Sequence, residues 1–262
     1  MKAKRIITAA LSVIALISLN SCEDWGLGCI DGNDRLTTEE RVISDFSGVE
    51  VNGSFDVIID TSAETSLLIE ADENLLDYIK TRVRGNMLVI DTYRDRCLRS
   101  DNRIAIYIST PYISDIILNG SGRIDCGSFE AGEAKMEVNG SGEINFDNAV
   151  TGELFLILNG SGEINGYART GASDLEIDGS GEINIDGTCP LADMKIIGSG
   201  NIRAADFITG DCEVTIIGSG NATVFASSLL DAQITGSGNV YYYGNPDNVI
   251  KDITGSGKVI KR

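Results

Sequence analysis

Seven cationic side chains crowd into one stretch of this sequence: Lys80, Arg82, Arg84, Arg94, Arg96, Arg99 and Arg103, with Tyr78, Tyr93, Tyr107 and Tyr112 among them. A guanidinium fork pairs with a carboxylate through two hydrogen bonds, and an aromatic ring stacks on a cation or a sugar. The combination predicts a landing place for an acidic glycan at Arg94, Arg96 and Arg99. The competing reading pairs these bases with nearby Asp residues and leaves them a solubilising role. Glu143, Glu163 and Glu182 form a second group, each following a Gly-Ser-Gly triplet, with Asn145, Asn165 and Asn184 two residues further on. Such oxygens suit Ca²⁺, but the spacing is not the nonapeptide of calcium-binding β-rolls, and a solvated acidic stripe accounts for the same residues. No metal site and no cofactor are expected.

Residue types exclude other chemistry. The chain has no His, which removes Ser-His-Asp and Cys-His nucleophiles, imidazole zinc ligands and imidazole acid–base catalysis. Acidic residues number 39 against 21 Lys+Arg. They recur with a repeat and do not converge at one irregular place, as glycoside hydrolysis requires. The sequence reads as non-enzymatic, with a polysaccharide-active β-helix enzyme as the alternative. A formal charge of −18 repels phosphate and argues against a nucleic-acid partner.

Cysteine placement speaks to compartment. Lys2, Lys4 and Arg5 precede an apolar run from Ile6 to Leu19. That run is too short to cross a ~30 Å hydrocarbon core as a helix and has the form of a secretory signal. Leu19-Asn20-Ser21-Cys22 resembles the lipobox of bacterial lipoproteins, so residues 1–21 are expected to be removed and Cys22 to carry the lipid anchor. Several acyl chains hold a protein where one does so only marginally. Cleavage removes three positive charges and no negative ones, leaving 18 Lys+Arg against 39 Asp+Glu, or −21. Glu23-Asp24 resembles the acidic stretch that directs some Gram-negative lipoproteins to the outer face of the outer membrane, and residues 22–41 read as a tether. Cys29, Cys97, Cys126, Cys189 and Cys212 remain. Export permits disulfides and the odd count leaves at least one thiol free. With no C-x-x-C to suggest zinc or redox chemistry, one bridge plus small buried hydrophobes is expected.

The elements that must position these residues are repeats. Gly-Ser-Gly begins at Gly120, Gly140, Gly160, Gly179, Gly198, Gly218, Gly236 and Gly255, at intervals of 18 to 20 residues, with a degenerate copy at Gly53-Ser54-Phe55. Two or three positions before each triplet stands Ile117, Val138, Ile157, Ile177, Ile196, Ile216, Ile234 or Ile253. Two after it stands Ile124, Ile144, Ile164, Ile183, Ile202, Ala222, Val240 or Val259. The flanks alternate apolar and polar, and β-branched residues favour strands. A unit this short, holding two or three brief strands, predicts one coil of a parallel β-helix, right-handed by the usual crossover rule. Coils about 4.8 Å apart would make a rod roughly 40 Å long. A β-sandwich is the rival architecture.

Regular coils are expected over 119–262, and irregular first coils with an excursion over 42–118, as terminal repeats usually are. Asp72 is expected to cap a short helical turn at 72–79. Five Asn-x-Ser/Thr matches, at Asn52, Asn119, Asn139, Asn159 and Asn221, read as accidents of the repeat. Tyr241-Tyr242-Tyr243 is expected to cover the end of the core, with a sugar-stacking role as the alternative.

The Cys-anchored signal, the segment Ala71 to Leu76 (ADENLL) and the tandem NGSGEIN units at Asn139–Asn145 and Asn159–Asn165 are similar to the putative auto-transporter adhesin, head GIN domain family of Gram-negative envelope proteins. The resemblance covers about residues 42–262 and implies a right-handed β-helical head and surface adhesion, with no catalytic residues to carry over. The expected function is a non-enzymatic adhesion or binding module, for a glycan or a cell-surface protein; the alternative is a structural envelope protein without a small ligand.

Overall fold

The computed structural model describes residues 28–262; the expected signal segment 1–21 and the expected lipidation residue Cys22 lie outside them. Strands run in chain order β1 (Ile30–Asp31), β2 (Leu36–Glu40), β3 (Gly48–Asn52), β4 (Asp56–Thr61), β5 (Ser66–Asp72), β6 (Ile79–Arg84), β7 (Met87–Thr92), β8 (Leu98–Arg99), β9 (Ala105–Thr110), β10 (Asp115–Gly120) and β11 (Arg123–Cys126). The regular coils follow as β12 (Phe129–Gly140), β13 (Glu143–Gly160), β14 (Glu163–Gly179), β15 (Glu182–Gly198), β16 (Asn201–Ala204), β17 (Phe207–Gly218), β18 (Asn221–Phe225), β19 (Leu229–Gly236), β20 (Asn239–Tyr243), β21 (Asn248–Gly255) and β22 (Lys258–Lys261).

From β10 onward each strand pairs in parallel with its equivalent one coil later, triplet against triplet: Gly120 with Gly140, Gly140 with Gly160, Gly160 with Gly179, and so on to Gly236 with Gly255. This parallel stacking is a β-solenoid and rules out the sandwich. The triplet turns the corner. Gly160 has φ 133°, and a Cβ on it would overlap the carbonyl oxygen of Gly140 in the preceding coil. Only glycine meets both conditions. A second corner column, Gly132, Gly152, Gly171, Pro190 and Gly210, also brings backbone onto backbone.

Positions two after the triplet face the core as expected, with Ile124, Ile144, Ile164, Ile183, Ile202, Ala222 and Val240 all fully buried. Before the triplet the inward position is fixed at two residues back. Leu118 and Leu158 are therefore buried, whereas Ile117 and Ile157, three back, are half-exposed on the outer face. Ile253 holds the inward position in the last described coil and is partly exposed.

The beginning departs from the repeat. The chain enters at the second layer: β3 and β4 are flanked by β10 and β11 on one side and by β7 and β9 on the other, all parallel. Beyond those, β6 runs antiparallel to β7, β5 antiparallel to β9, and β2 antiparallel to β5. Residues 30–31 and 36–40, within the stretch expected to be a tether, are thus strands of the folded body. Cys29 bridges Cys97, while Cys126, Cys189 and Cys212 are buried free thiols. Asp72 ends β5 and caps no helix; its buried carboxylate accepts hydrogen bonds from Ser100 Oγ and Asn102 Nδ2, and the nearby 3₁₀ turn Leu76–Tyr78 has no side-chain cap.

The other end is closed by lysine. Met136, Leu156, Leu175, Met194, Val214 and Ala232 form one inward column, and the next residue in register is Lys251. Tyr242, buried, is followed in its column by Lys261, so the tyrosine run supplies one inward ring and the last coil lies beyond it. Lys251 Nζ donates to Val259 O at 3.3 Å and Lys261 Nζ to Asn245 Oδ1 at 2.7 Å. Inward-pointing charges keep an exposed edge strand from recruiting another.

Two outcomes follow from this register. Ile164→Asp places an unpaired carboxylate in the core, at a cost on the order of several kcal/mol, while Glu163→Ala next to it is neutral or slightly stabilising; thermal melting of the two variants would refute the alternation if both fell equally. Lys251→Ile with Lys261→Val should raise the mass in sedimentation equilibrium through end-to-end association, and a double variant that sediments like the wild-type chain would show that the lysines are not what bars the edge.

Candidate functional site

The expected basic site is only partly assembled. Arg82 pairs with Asp91 at 2.5 Å, Arg99 with Asp31 at 3.4 Å and Arg103 with Asp56 at 3.0 Å. Arg94 has a left-handed backbone, φ 56°, and its guanidinium lies 5.1 Å from the centre of the Tyr93 ring, which Lys80 approaches to 5.4 Å. Arg96 follows the 3₁₀ turn Tyr93–Asp95, and Arg99 lies on β8 beside β1. Arg94, Arg96 and Arg99 thus share one segment next to the Cys29–Cys97 bridge, but Arg99 is spent on Asp31. Surface pairs of this kind hold each other weakly.

The Glu column is real as geometry. Arg123, Glu143, Glu163, Glu182, Asn201, Asn221, Asn239 and Lys258 stack in register. Its like charges are relieved by protein groups. Arg123 bridges Asp125 at 2.9 Å and Glu143 at 2.8 Å, Asn184 donates to Glu163 at 3.0 Å, and Arg203 pairs with Glu182. The Asp125 hydrogen bond raises the Arg123 guanidinium pKa. For Asp125, burial pushes upward, but hydrogen bonds from Arg123 and Asn145 outweigh it and leave the carboxyl below its ordinary range. Beside it Asn145, Asn165 and Asn184 each donate to the preceding coil at 2.9, 2.9 and 2.7 Å. The sequon residues Asn119, Asn139 and Asn159 form a second amide ladder starting from Asn52. Among the described residues no three carboxylates or thiols converge as a metal site would need.

Two surfaces escaped sequence reasoning. Asp174, Asp193, Glu213 and Asp231 stack in register, and the last three line, with Leu191 and Leu229, a shallow depression of about 350 Å³. The signal was available, since each stands five residues before a triplet. Burial and then the neighbouring carboxylates raise the pKa of Asp174 and of Asp193 above the ordinary carboxylate range.

The second surface is a groove of about 640 Å³ near the irregular end. Its floor is the outward row Leu68, Tyr107 and Ile58, directly opposite one another on β5, β9 and β4. The next outward row is Ser66, Ser109 and Asp60, and Ser62 Oγ is hydrogen-bonded to Ser109 Oγ. Val42, wholly exposed, and Ile43 form one wall. Runs of three aliphatics, Val57-Ile58-Ile59 and Leu67-Leu68-Ile69, were the sequence signal: strict alternation would have put a polar residue in the middle.

Stacked coils with outward ladders and a grooved, irregular end define a β-solenoid whose chemistry is on its surface. The profile of the putative auto-transporter adhesin, head GIN domain family matches residues 45–246, and the chain belongs to that family. No curated protein matches it. Among solved structures, a putative lipid-binding protein from Parabacteroides distasonis is 29% identical, with TM-score 0.84, covering 90% of this chain and 100% of that one. A putative adhesin from Parabacteroides merdae, 24% identical with TM-score 0.85 over 89% of this chain and 98% of that one, shares the fold. Membership of this putative adhesin family places the chain with cell-envelope or surface proteins.

The raised carboxylates make a sign-definite prediction. A carboxyl whose folded pKa lies above its unfolded value contributes stability below the unfolded value and loses it as pH rises through the folded one. Near pH 7 the ladder is therefore a net strain. Asp193→Asn should raise Tm near pH 7, and the gain should vanish at about pH 3; an equal gain at both pH values would show that relief of charge is not the cause.

Proposed function

We propose that this chain is a lipid-anchored, non-catalytic adhesion module of the bacterial outer membrane, held by Cys22 and facing the cell surface, which binds a glycan or a cell-surface protein. One observation supports the reading above others. The first described strands, β1 and β2, lie at the antiparallel end of the solenoid, and β22 lies at the opposite end. An anchor just before Cys29 would stand the coils away from the membrane, with their in-register ladders exposed along the whole rod. Repeated near-identical surfaces suit avid, multivalent contact. Arg94, Arg96 and Arg99 remain the proposed contacts for an acidic ligand, at the base of the rod.

Cells carrying the wild-type chain should attach to glycoprotein-coated surfaces more than cells carrying Cys22→Ala, and the variant chain should lose lipid label and leave the membrane fraction. A Cys22→Ala chain that stays with membranes would overturn the anchor. Equal attachment of the two strains, with the variant confirmed as released, would overturn adhesion.

A further inference from the structure

We infer that the groove over Tyr107 is a saccharide site that takes a ring with one apolar face and an uncharged or cationic rim. The inference deepens the adhesion reading by assigning it a ligand class and a place. A pyranose ring presents C–H bonds on one face and hydroxyls around its edge. The groove presents the same division in complement: the Tyr107 ring, 39% exposed, flanked in one flat row by Ile58 and Leu68, and then a polar row of Ser66, Ser109 and Asp60 one step along the strands. Its volume, about 640 Å³, falls within the ordinary span of small-ligand pockets.

Other occupants match less of the lining. An acyl chain would cover the apolar floor but take the Asp60 carboxylate out of water without a partner, which is costly. An added peptide strand has no edge to join on the groove floor: β5 is paired to β2 and β9, β9 to β5 and β4, and β4 to β9 and β11. Recognition there must be by side chains alone. An acidic sugar would meet Asp60 and Glu40, both in the lining. The one base in the lining, Arg41, is committed elsewhere, to Glu39 at 3.0 Å and to the carbonyls of Ile79 and Leu76 at 2.7 and 2.9 Å. The rim chemistry therefore selects neutral or amino sugars, and separates this groove from the basic segment at Arg94–Arg99.

The test is direct binding of the purified chain to arrayed neutral, amino and uronic oligosaccharides, with phosphatidylcholine vesicles, with and without a neutral glycolipid, alongside. A neutral or amino oligosaccharide, free or as the glycolipid headgroup, should bind with little salt dependence. Tyr107→Ala should weaken it at least about tenfold, as loss of a central aromatic does, while Tyr107→Phe keeps it because the ring face is retained. Asp60→Asn should weaken it without unfolding, and Arg94→Ala with Arg96→Ala and Arg99→Ala should leave it unchanged. Unaltered melting of Tyr107→Ala certifies the fold. Binding to no saccharide, binding untouched by Tyr107→Ala, or capture of plain vesicles in place of sugars would each overturn the assignment. If cells fail to attach while the purified chain still binds sugar, the adhesion reading falls and the groove stands; the reverse result removes the groove alone.

Discussion

Every layer of this molecule depends on one steric demand, that the backbone at the triplet corner pass directly under the same corner of the coil before it. Ser161 N donates to Gly140 O at 2.9 Å and Glu163 N to Gly142 O at 3.0 Å, and the same pair of bonds recurs from coil to coil. Any Cβ at the first glycine would collide with the carbonyl it stacks beneath. Holding that corner at one phase brings every other residue into register, since a slip of one residue would turn the inward face outward. The aliphatic columns, the amide ladders and the carboxylate ladders are all consequences of a corner that admits glycine alone.

How much of this could be read in the sequence depended on distance from the corner. Ile144, Ile164 and Ile183, two residues after a triplet, had no competing neighbour and were placed correctly. Before the triplet, Ile117-Leu118 and Ile157-Leu158 offered two aliphatics in succession, and hydrophobicity alone does not say which faces in; the phase does. The antiparallel end was illegible for a different reason. There β7 and β9 stack outside β3 and β4, so sequence order and spatial order part company, and no local pattern records that the chain doubles back. Asp72 shows the consequence. A local rule made it a helix cap, but it ends a strand, buried against Ser100 and Asn102. The groove suffered the same fate, because Tyr107, Ile58 and Leu68 come from strands whose adjacency was not visible.

The two ends answer the open-core problem by different means. At one, antiparallel strands and the Cys29–Cys97 bridge, spanning a sequence separation of 68, cover the first layer. A covalent link over so long a loop removes much conformational freedom from the unfolded chain, which suits an end that local repeats do not stabilise. At the other, two of the inward columns stop at Lys251 and Lys261. Their long methylene stems can lie over apolar surface while the amines stay in water, so the same residues shade the last layer and refuse the next.

Charge is the recurring liability of a parallel stack, because each residue repeats at the spacing of a coil. The Glu143–Glu163–Glu182 column is flanked by Arg123 and Arg203 and touched by Asn184, so its repulsion is absorbed locally. In the Asp174–Asp193–Glu213–Asp231 ladder, Lys195 contributes only from the side, through Glu176 at 2.6 Å, and burial together with the neighbouring carboxylates makes Asp174 and Asp193 hold protons more tightly. A scaffold under such constraint has little freedom to shape a unique pocket on its regular faces, since any side chain chosen for a ligand is stacked on a neighbour chosen for the register. Freedom returns where the register is broken. The row Leu68–Tyr107–Ile58 runs across one parallel and one antiparallel junction: Ile58 still stacks on Asp125, but Tyr107 and Leu68 lie outside the periodic coils and can differ from the residues that recur along them. That is why the irregular end, and not the regular coils, carries the surface with a composition of its own.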